Sequence, residues 1–296
     1  MEPNTVKEAA APLAIVLAVA ASASLTLNIG KAIQKMKVEV LKKGKLVLSA
    51  PYRRDFLIWV VGISLTFVAS LLTLTAQNLT DKTSLVSSMN GVGLIGLALF
   101  SLFVLKEKVG LREWSSVLMI AIGTATISYF NKAAGEKFFS LTATLWCVGI
   151  YAAASAVILL TTKALNRGRA FFYAAIAGVG LGLMNIFYHI GPVIAEGADQ
   201  FKTPYPWIAF LILGNIGFVM TNLAFFHGTG IVIVPTVNSF LMISPMVMEV
   251  FIFRTVLGPM QYAGAGIIIL GVILLTSSPS QASAAPPKAK AKPSAA

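Results

Sequence analysis

The chain has 296 residues, of which 57% are hydrophobic and 11% are charged, and its formal net charge is +12. A typical soluble domain carries about 25% charged residues, so this composition excludes a water-soluble globular protein and indicates that lipid surrounds most of the chain. The Lys and Arg residues stand between apolar blocks, a pattern typical of charges that orient membrane spans and not of a nucleic-acid-binding surface.

Nine apolar blocks of membrane-crossing length follow one another along the chain, each near the roughly 20 residues that a transmembrane helix needs. They cover residues 9–30, 56–77, 84–105, 114–130, 139–161, 171–191, 205–226, 231–253 and 259–277. The predicted fold class is therefore an all-α polytopic membrane protein with about nine transmembrane helices. Residues 31–54 form the only long internal loop, which could hold an amphipathic helix at the membrane surface. Residues 278–296, rich in Ala, Pro, Ser and Lys, are predicted to form a disordered cytoplasmic tail.

The basic residues predict how the spans are oriented. With the N-terminus outside, seventeen of the 23 Lys and Arg residues fall on the cytoplasmic side and six fall outside. The positive-inside rule thus favours an integral multi-pass protein with an outer N-terminus and a cytoplasmic C-terminus, and we expect it in the plasma (inner) membrane.

The sequence also repeats itself. A shift of 148 residues aligns residues 56–128 with the second half without a gap, and a shift of 157 aligns the first span with the sixth. The distinctive pairs in this register are Trp59 with Trp207, Asn90 with Asn238, Lys106 with Arg254, Ile120 with Ile268, Gly123 with Gly271, and Asn28 with Asn185.

The repeat predicts one transporter domain over residues 1–277, with halves at 9–130 and 171–277 and a linking span at 139–161. Equivalent spans are five apart, an odd number, so they cross the membrane in opposite directions. Such an inverted repeat of four, one and four spans is the architecture of many secondary transporters, whose sites lie near the midplane between the halves.

Glu249 is a carboxylate well inside a predicted span, and burying it in the bilayer is costly unless it faces a cavity or a partner. It could bind a cation, carry a coupling proton or contact an amine. Alternatively, it could pair structurally with Arg254, which follows five residues later.

Amide side chains are the other candidate site residues. Asn28, Asn185, Asn90 and Asn238 form two repeat-related pairs that could line a central polar cavity or join helices by hydrogen bonds. Asn215 and Asn222 join this set more weakly. His189, beside Tyr188, could titrate during a transport cycle or lie in the aromatic belt at the membrane surface.

The sequence contains no P-loop, no metalloprotease helix motif and no Cys-x-x-Cys pair, and its single cysteine is Cys147. We therefore predict no cofactor and no enzymatic activity, and expect transport to be driven by a gradient or a partner. The expected partners are the lipid bilayer, a small solute or cation and no nucleic acid, with a homodimer left open. The competing hypothesis is a non-transport membrane protein, an embedded enzyme or a scaffold.

Several segments resemble the drug/metabolite transporter superfamily (EamA-like). Residues 84–91 lead into a span that ends with Leu105-Lys106-Glu107-Lys108. The last span of each half contains glycine, within residues 121–123 in the first half and 270–274 in the second. The arrangement of four, one and four spans resembles most the NIPA-like magnesium transporter branch. This resemblance implies a transporter, with magnesium as one substrate class, although Phe253-Arg254-Thr255 stands where that branch has Phe-Lys-Glu.

Overall fold

The computed structural model describes residues 12–79, 86, 89–107, 109–130, 139–165, 168–195 and 203–277. Within these residues the chain forms nine α-helices, which are α1 (Leu13–Lys37), α2 (Ala50–Asn78), α3 (Asn90–Phe103), α4 (Leu111–Phe130), α5 (Leu141–Leu165), α6 (Arg169–Ala195), α7 (Tyr205–Phe225), α8 (Gly230–Ile252) and α9 (Pro259–Thr276). Seven are long and apolar enough to cross a membrane, α3 is a shorter apolar helix, and α4 is not among the seven. The all-α polytopic class is confirmed.

The first loop differs from the prediction. Helix α1 continues to Lys37, and a 3-10 segment, Val38–Leu48, leads almost directly to α2. The stretch 31–54 is therefore mostly helical, and its predicted start as a loop at residue 31 was wrong because the first lysines do not end α1. Lys37, for example, forms an ion pair with Asp55 at 2.7 Å, which allows it to stay helical. The predicted tail, 278–296, lies outside the described residues.

Contacts between helix ends show that α1 and α2 run in opposite directions, and that α4 and α9 do so too. Lys37 at the end of α1 pairs with Asp55 near the start of α2. Arg112 at the start of α4 donates to the Ser277 carbonyl, just after α9, at 2.8 Å. We call the end of the bundle that holds these contacts the basic end. The residue after α9 thus meets the start of its repeat mate α4, as an inverted repeat requires.

The 148-residue register is visible in the backbone. Lys106 and Arg254 are equivalent in the repeat, and both adopt the left-handed conformation, with φ of 54° and 55°. The Glu107 amide donates to the Ser101 carbonyl at 2.9 Å, and the equivalent Thr255 amide donates to the Glu249 carbonyl at 3.4 Å. The same strained turn therefore closes α3 in one half and α8 in the other.

Helices α4 and α9 pack through a reciprocal contact. A Cβ placed on Gly123 would lie 2.7 Å from the Ile268 side chain, and one placed on Gly271 would lie 2.8 Å from Ile120. Since Gly123 is equivalent to Gly271 and Ile120 to Ile268, the two contacts are equivalent in the 148-residue register. Within each half the packing also corresponds, because α1 packs on α2 and α3 as α6 packs on α7 and α8.

Candidate solute site between the two halves

A chain of hydrogen bonds links the two halves inside the bundle. The Lys31 ammonium on α1 donates to Asn238 Oδ1 on α8 at 2.9 Å. Asn238 Nδ2 donates to Asn28 Oδ1 at 3.1 Å, and Asn28 Nδ2 donates to the Ser24 carbonyl at 2.9 Å. We refer to Ser24, Asn28, Lys31 and Asn238 as the polar cluster. It lies at the contact between the first helix of one half and the third helix of the other.

Helix periodicity explains how α1 contributes three members. Ser24, Asn28 and Lys31 are separated by four and three residues, so their side chains lie on one face of the helix. Ser24 is tied to α3, because its hydroxyl donates to the Asn90 carbonyl at 3.0 Å and accepts from the Gly93 amide at 3.0 Å. A Cβ on Gly93 would collide with Ser24 and Asn28, so glycine is required for this close approach.

Lys31 is the charged member of the cluster. It lies about 9 Å of helix rise from Lys37, the last residue of α1, and is half-buried within the bundle. Among the described residues, ion pairs join Lys37 with Asp55 and Lys42 with Glu39, and neither includes Lys31. A charge at such a depth is costly unless it serves a pathway or a ligand, which makes Lys31 a functional candidate.

At the basic end, a second set of contacts joins the halves. Glu107, after α3, accepts from the Gly230 and Ile231 amides at 2.9 and 3.2 Å, so its carboxylate caps the N-terminus of α8. The Lys35 ammonium donates to the Phe225 carbonyl at the end of α7 at 2.5 Å. We call these five residues the basic-end latch. Each charge faces the helix end of opposite polarity, which stabilises the closed contact.

The structure brings only some of the predicted asparagines into contact with one another. Asn28 and Asn238 bond directly, whereas Asn90 contributes its backbone carbonyl. Asn185, the repeat mate of Asn28, is half-buried on α6 outside the hydrogen-bonded cluster. Asn222 accepts from the Trp59 indole at 3.3 Å and so ties α7 to α2. That the whole amide set binds solute stays a prediction.

The two titratable candidates lie away from the polar cluster. Glu249 is half-buried on α8, eleven residues after Asn238, which is about 16 Å of helix rise. His189 is exposed on α6 and packs edge-on against Tyr188, which also contacts Trp207. This aromatic surrounding matches the membrane-surface alternative for His189, and a role in transport is a prediction for both residues.

Sequence reasoning missed Lys31 and Glu107. Lys31 was assigned to a loop because the apolar block ends at residue 30, although its spacing from Asn28 was a readable signal. Glu107 was noticed only as part of a family-like motif, and its role depends on a contact more than 120 residues away in sequence.

The described residues contain no group of three or more His, Cys, Asp or Glu side chains that could hold a metal ion. Within that part of the chain, a cation in the polar cluster would have only neutral amide, carbonyl and hydroxyl oxygens as ligands, and it would lie beside the Lys31 ammonium.

A separate cavity of about 710 Å³ lies between α5, α6 and α8. Its walls expose apolar surface from residues that include Trp146, Tyr151, Phe171, Phe240 and Phe251. Such walls suit hydrocarbon and do not suit a charged or strongly polar solute.

Comparisons with known proteins agree with a transporter. The chain is 24% identical over 263 residues to an Arabidopsis thaliana protein named "Probable magnesium transporter NIPA9", and the alignment covers 84% of this chain and 76% of that protein. No family model matches the chain. No solved structure matches it either. The similarity supports a membrane-transporter role and agrees with the absence of enzymatic activity predicted above.

Proposed function

We propose that this protein is a secondary transporter or facilitator that moves a small solute across a membrane by alternating access. The observation that carries the proposal is the polar cluster, in which Lys31 and Asn28 of one half meet Asn238 of the other. A solute bound there contacts both halves of an inverted repeat, so a relative movement of the halves can expose it to each side in turn.

The basic-end latch supports one step of such a cycle. Glu107 and Lys35 join the halves at one end of the pathway, so this arrangement corresponds to closure at the basic end. The repeat equivalent of Glu107 is Thr255, which is half-buried and carries no charge. We expect the two ends to close with unequal strength, and from the distribution of charges we assign the basic end to the cytoplasm.

Divalent cation transport is the second candidate, favoured by the name of the Arabidopsis protein. Electrostatics at the polar cluster oppose it. Two unit positive charges 4 Å apart repel by about 4 kcal/mol at an effective dielectric constant near 20, and a divalent ion beside Lys31 doubles that cost. An amine meets the same repulsion, so a cation requires either deprotonation of Lys31 or a site elsewhere, such as near Glu249.

The first prediction concerns Asn238→Ala. This change removes the acceptor for Lys31 and the donor for Asn28, and a hydrogen bond to a charged group contributes about 1.5–3 kcal/mol. We expect uptake by proteoliposomes to fall at least about tenfold, since each 1.4 kcal/mol is a factor of ten. Wild-type protein is first screened with Mg²⁺, amines, mono- and dicarboxylates, phosphate and glycerol 3-phosphate, and the variant is then assayed with the solute transported.

Asn215→Ala is the matched control. Asn215 is exposed on α7 and its amide donates only along its own helix, to the Leu211 carbonyl at 2.8 Å. Uptake by this variant should equal that of the wild type. Equal uptake by the Asn238 variant and the control would exclude the polar cluster as the solute site.

A further inference from the structure

We propose that the solute carries a negative charge, on a carboxylate or phosphate group, and that the Lys31 ammonium is its counter-charge. This inference rests on the proposed transport function and adds the chemical class of the substrate. It is carried by the direction of the hydrogen bonds in the polar cluster and by the way charge is balanced among the lysines of this end of the protein.

The three hydrogen bonds that link the members of the cluster to one another all run away from Lys31. The lysine donates to Asn238, Asn238 donates to Asn28, and Asn28 donates to the Ser24 carbonyl. The ammonium is therefore the first donor of the chain. One of its three N–H bonds is used, and the described residues supply no acceptor for the other two. The ligand type that completes this arrangement is a hydrogen-bond acceptor.

Lys31 differs from the neighbouring lysines because their positive charges are offset by carboxylates. Lys37 is paired with Asp55, and Lys42 is paired with Glu39. Lys35 interacts electrostatically with Glu107 and donates to a carbonyl at the end of α7. For Lys31, by contrast, the described part of the chain shows no carboxylate that offsets its charge. An anionic ligand supplies the missing charge as well as the missing acceptor.

The repeat does not contain a second lysine equivalent to Lys31, so each protein molecule has one counter-charge of this kind. In the register that pairs Asn28 with Asn185, the residue equivalent to Lys31 is Tyr188. The inverted half thus duplicates the amides of the site without duplicating the lysine. We accordingly expect one anionic group to bind for each protein molecule, close to the half that contains α1.

The test measures thermal stability of the purified full-length protein with potassium acetate, succinate, phosphate or glycerol 3-phosphate, each compared with potassium chloride at equal ionic strength. A ligand that binds only the folded state raises the melting temperature. We expect at least one of these anions to raise it by about 2 °C or more in the wild type. The increase should vanish in Lys31→Gln and in Lys31→Met, which keeps a similar apolar stem.

Lys43→Gln serves as the control, because Lys43 is exposed in the 3-10 segment and stacks on the Tyr52 ring. It should retain the full increase, which separates binding at Lys31 from a general effect of positive charge. An increase of equal size in the Lys31 variants, or no increase with any of the four anions in the wild type, would overturn the inference. Stabilisation by Mg²⁺ that becomes stronger in Lys31→Gln would overturn it too, by showing that the lysine occupies the place of a cation.

Failure of this inference is distinguishable from failure of the proposed function. Uptake of Mg²⁺ or an amine that is lost in Asn238→Ala, without any stabilisation by anions, would reject an anionic solute and leave the transport function intact. Anion-dependent stabilisation without uptake of any of the screened solutes by proteoliposomes would support the binding site and contradict transport.

Discussion

Replacing Glu107 by alanine is expected to open the basic end of the bundle. The Glu107 carboxylate accepts hydrogen bonds from the Gly230 and Ile231 amides, and no alanine atom can take its place. Losing a charge-assisted cap of a helix N-terminus costs about 2–3 kcal/mol, which shifts the equilibrium between closed and open arrangements roughly 30- to 160-fold.

The measurement is the rate at which a membrane-impermeant thiol reagent modifies Asn28→Cys in a Cys147→Ala background. In inside-out vesicles, Glu107→Ala should raise this rate at least about tenfold, because the proposed topology places the basic end in the cytoplasm. Glu39→Ala removes an exposed carboxylate at the same end and should leave the rate unchanged. Equal rates in the two variants would show that Glu107 does not hold the halves together, and a gain seen only in right-side-out vesicles would reverse the topology.

Replacing Gly264 by leucine is expected to destabilise the contact between α4 and α9. A Cβ at this position would lie 2.9 Å from the Gly123 carbonyl oxygen and 2.8 Å from the Ile127 side chain. The backbone of α4 cannot move away as a flexible side chain could, so the helices must separate. Overpacking of this kind costs about 1–3 kcal/mol or more, and we expect the melting temperature in detergent to fall by several degrees.

Gly266→Leu provides the matched control on the same helix. Apart from its chain neighbours and the backbone of its own helix, a Cβ on Gly266 meets no atom within 4 Å, so this leucine should point into lipid and leave the melting temperature close to that of the wild type. If Gly264→Leu is as stable as Gly266→Leu, the reciprocal contact between the repeat halves is not part of the fold.

The pattern of apolar residues was sufficient to predict the helices. Nine blocks correspond to nine helices among the described residues, because period and length are local properties of the sequence. The register also carried three-dimensional information. Pairing Lys106 with Arg254 was a comparison of letters, and the structure gives both residues the same left-handed turn.

The candidate site was predicted less completely, because its decisive contacts are long-range. The repeat singled out Asn28 and Asn238, which bond to each other, but it treated Asn185 as an equal partner. Glu249 was predicted as a site residue because it is a carboxylate inside a span. Lys31 was overlooked because a lysine at the edge of an apolar block is ordinarily assigned to the membrane surface. Only the packing of α1 against α8 places its ammonium between the halves.

The most direct test of the account is a reversible cross-link between the halves at the basic end. A Cβ on Gly230 lies 3.5 Å from the Leu105 side chain, so cysteines at these two positions, in the Cys147→Ala background, can be joined by a short reducible cross-linker. The account predicts that cross-linking abolishes uptake of the solute carried by wild-type proteoliposomes and that reduction restores it, with both single-cysteine variants unaffected. Uptake at the unlinked rate by fully cross-linked protein would contradict alternating access through separation of the two halves.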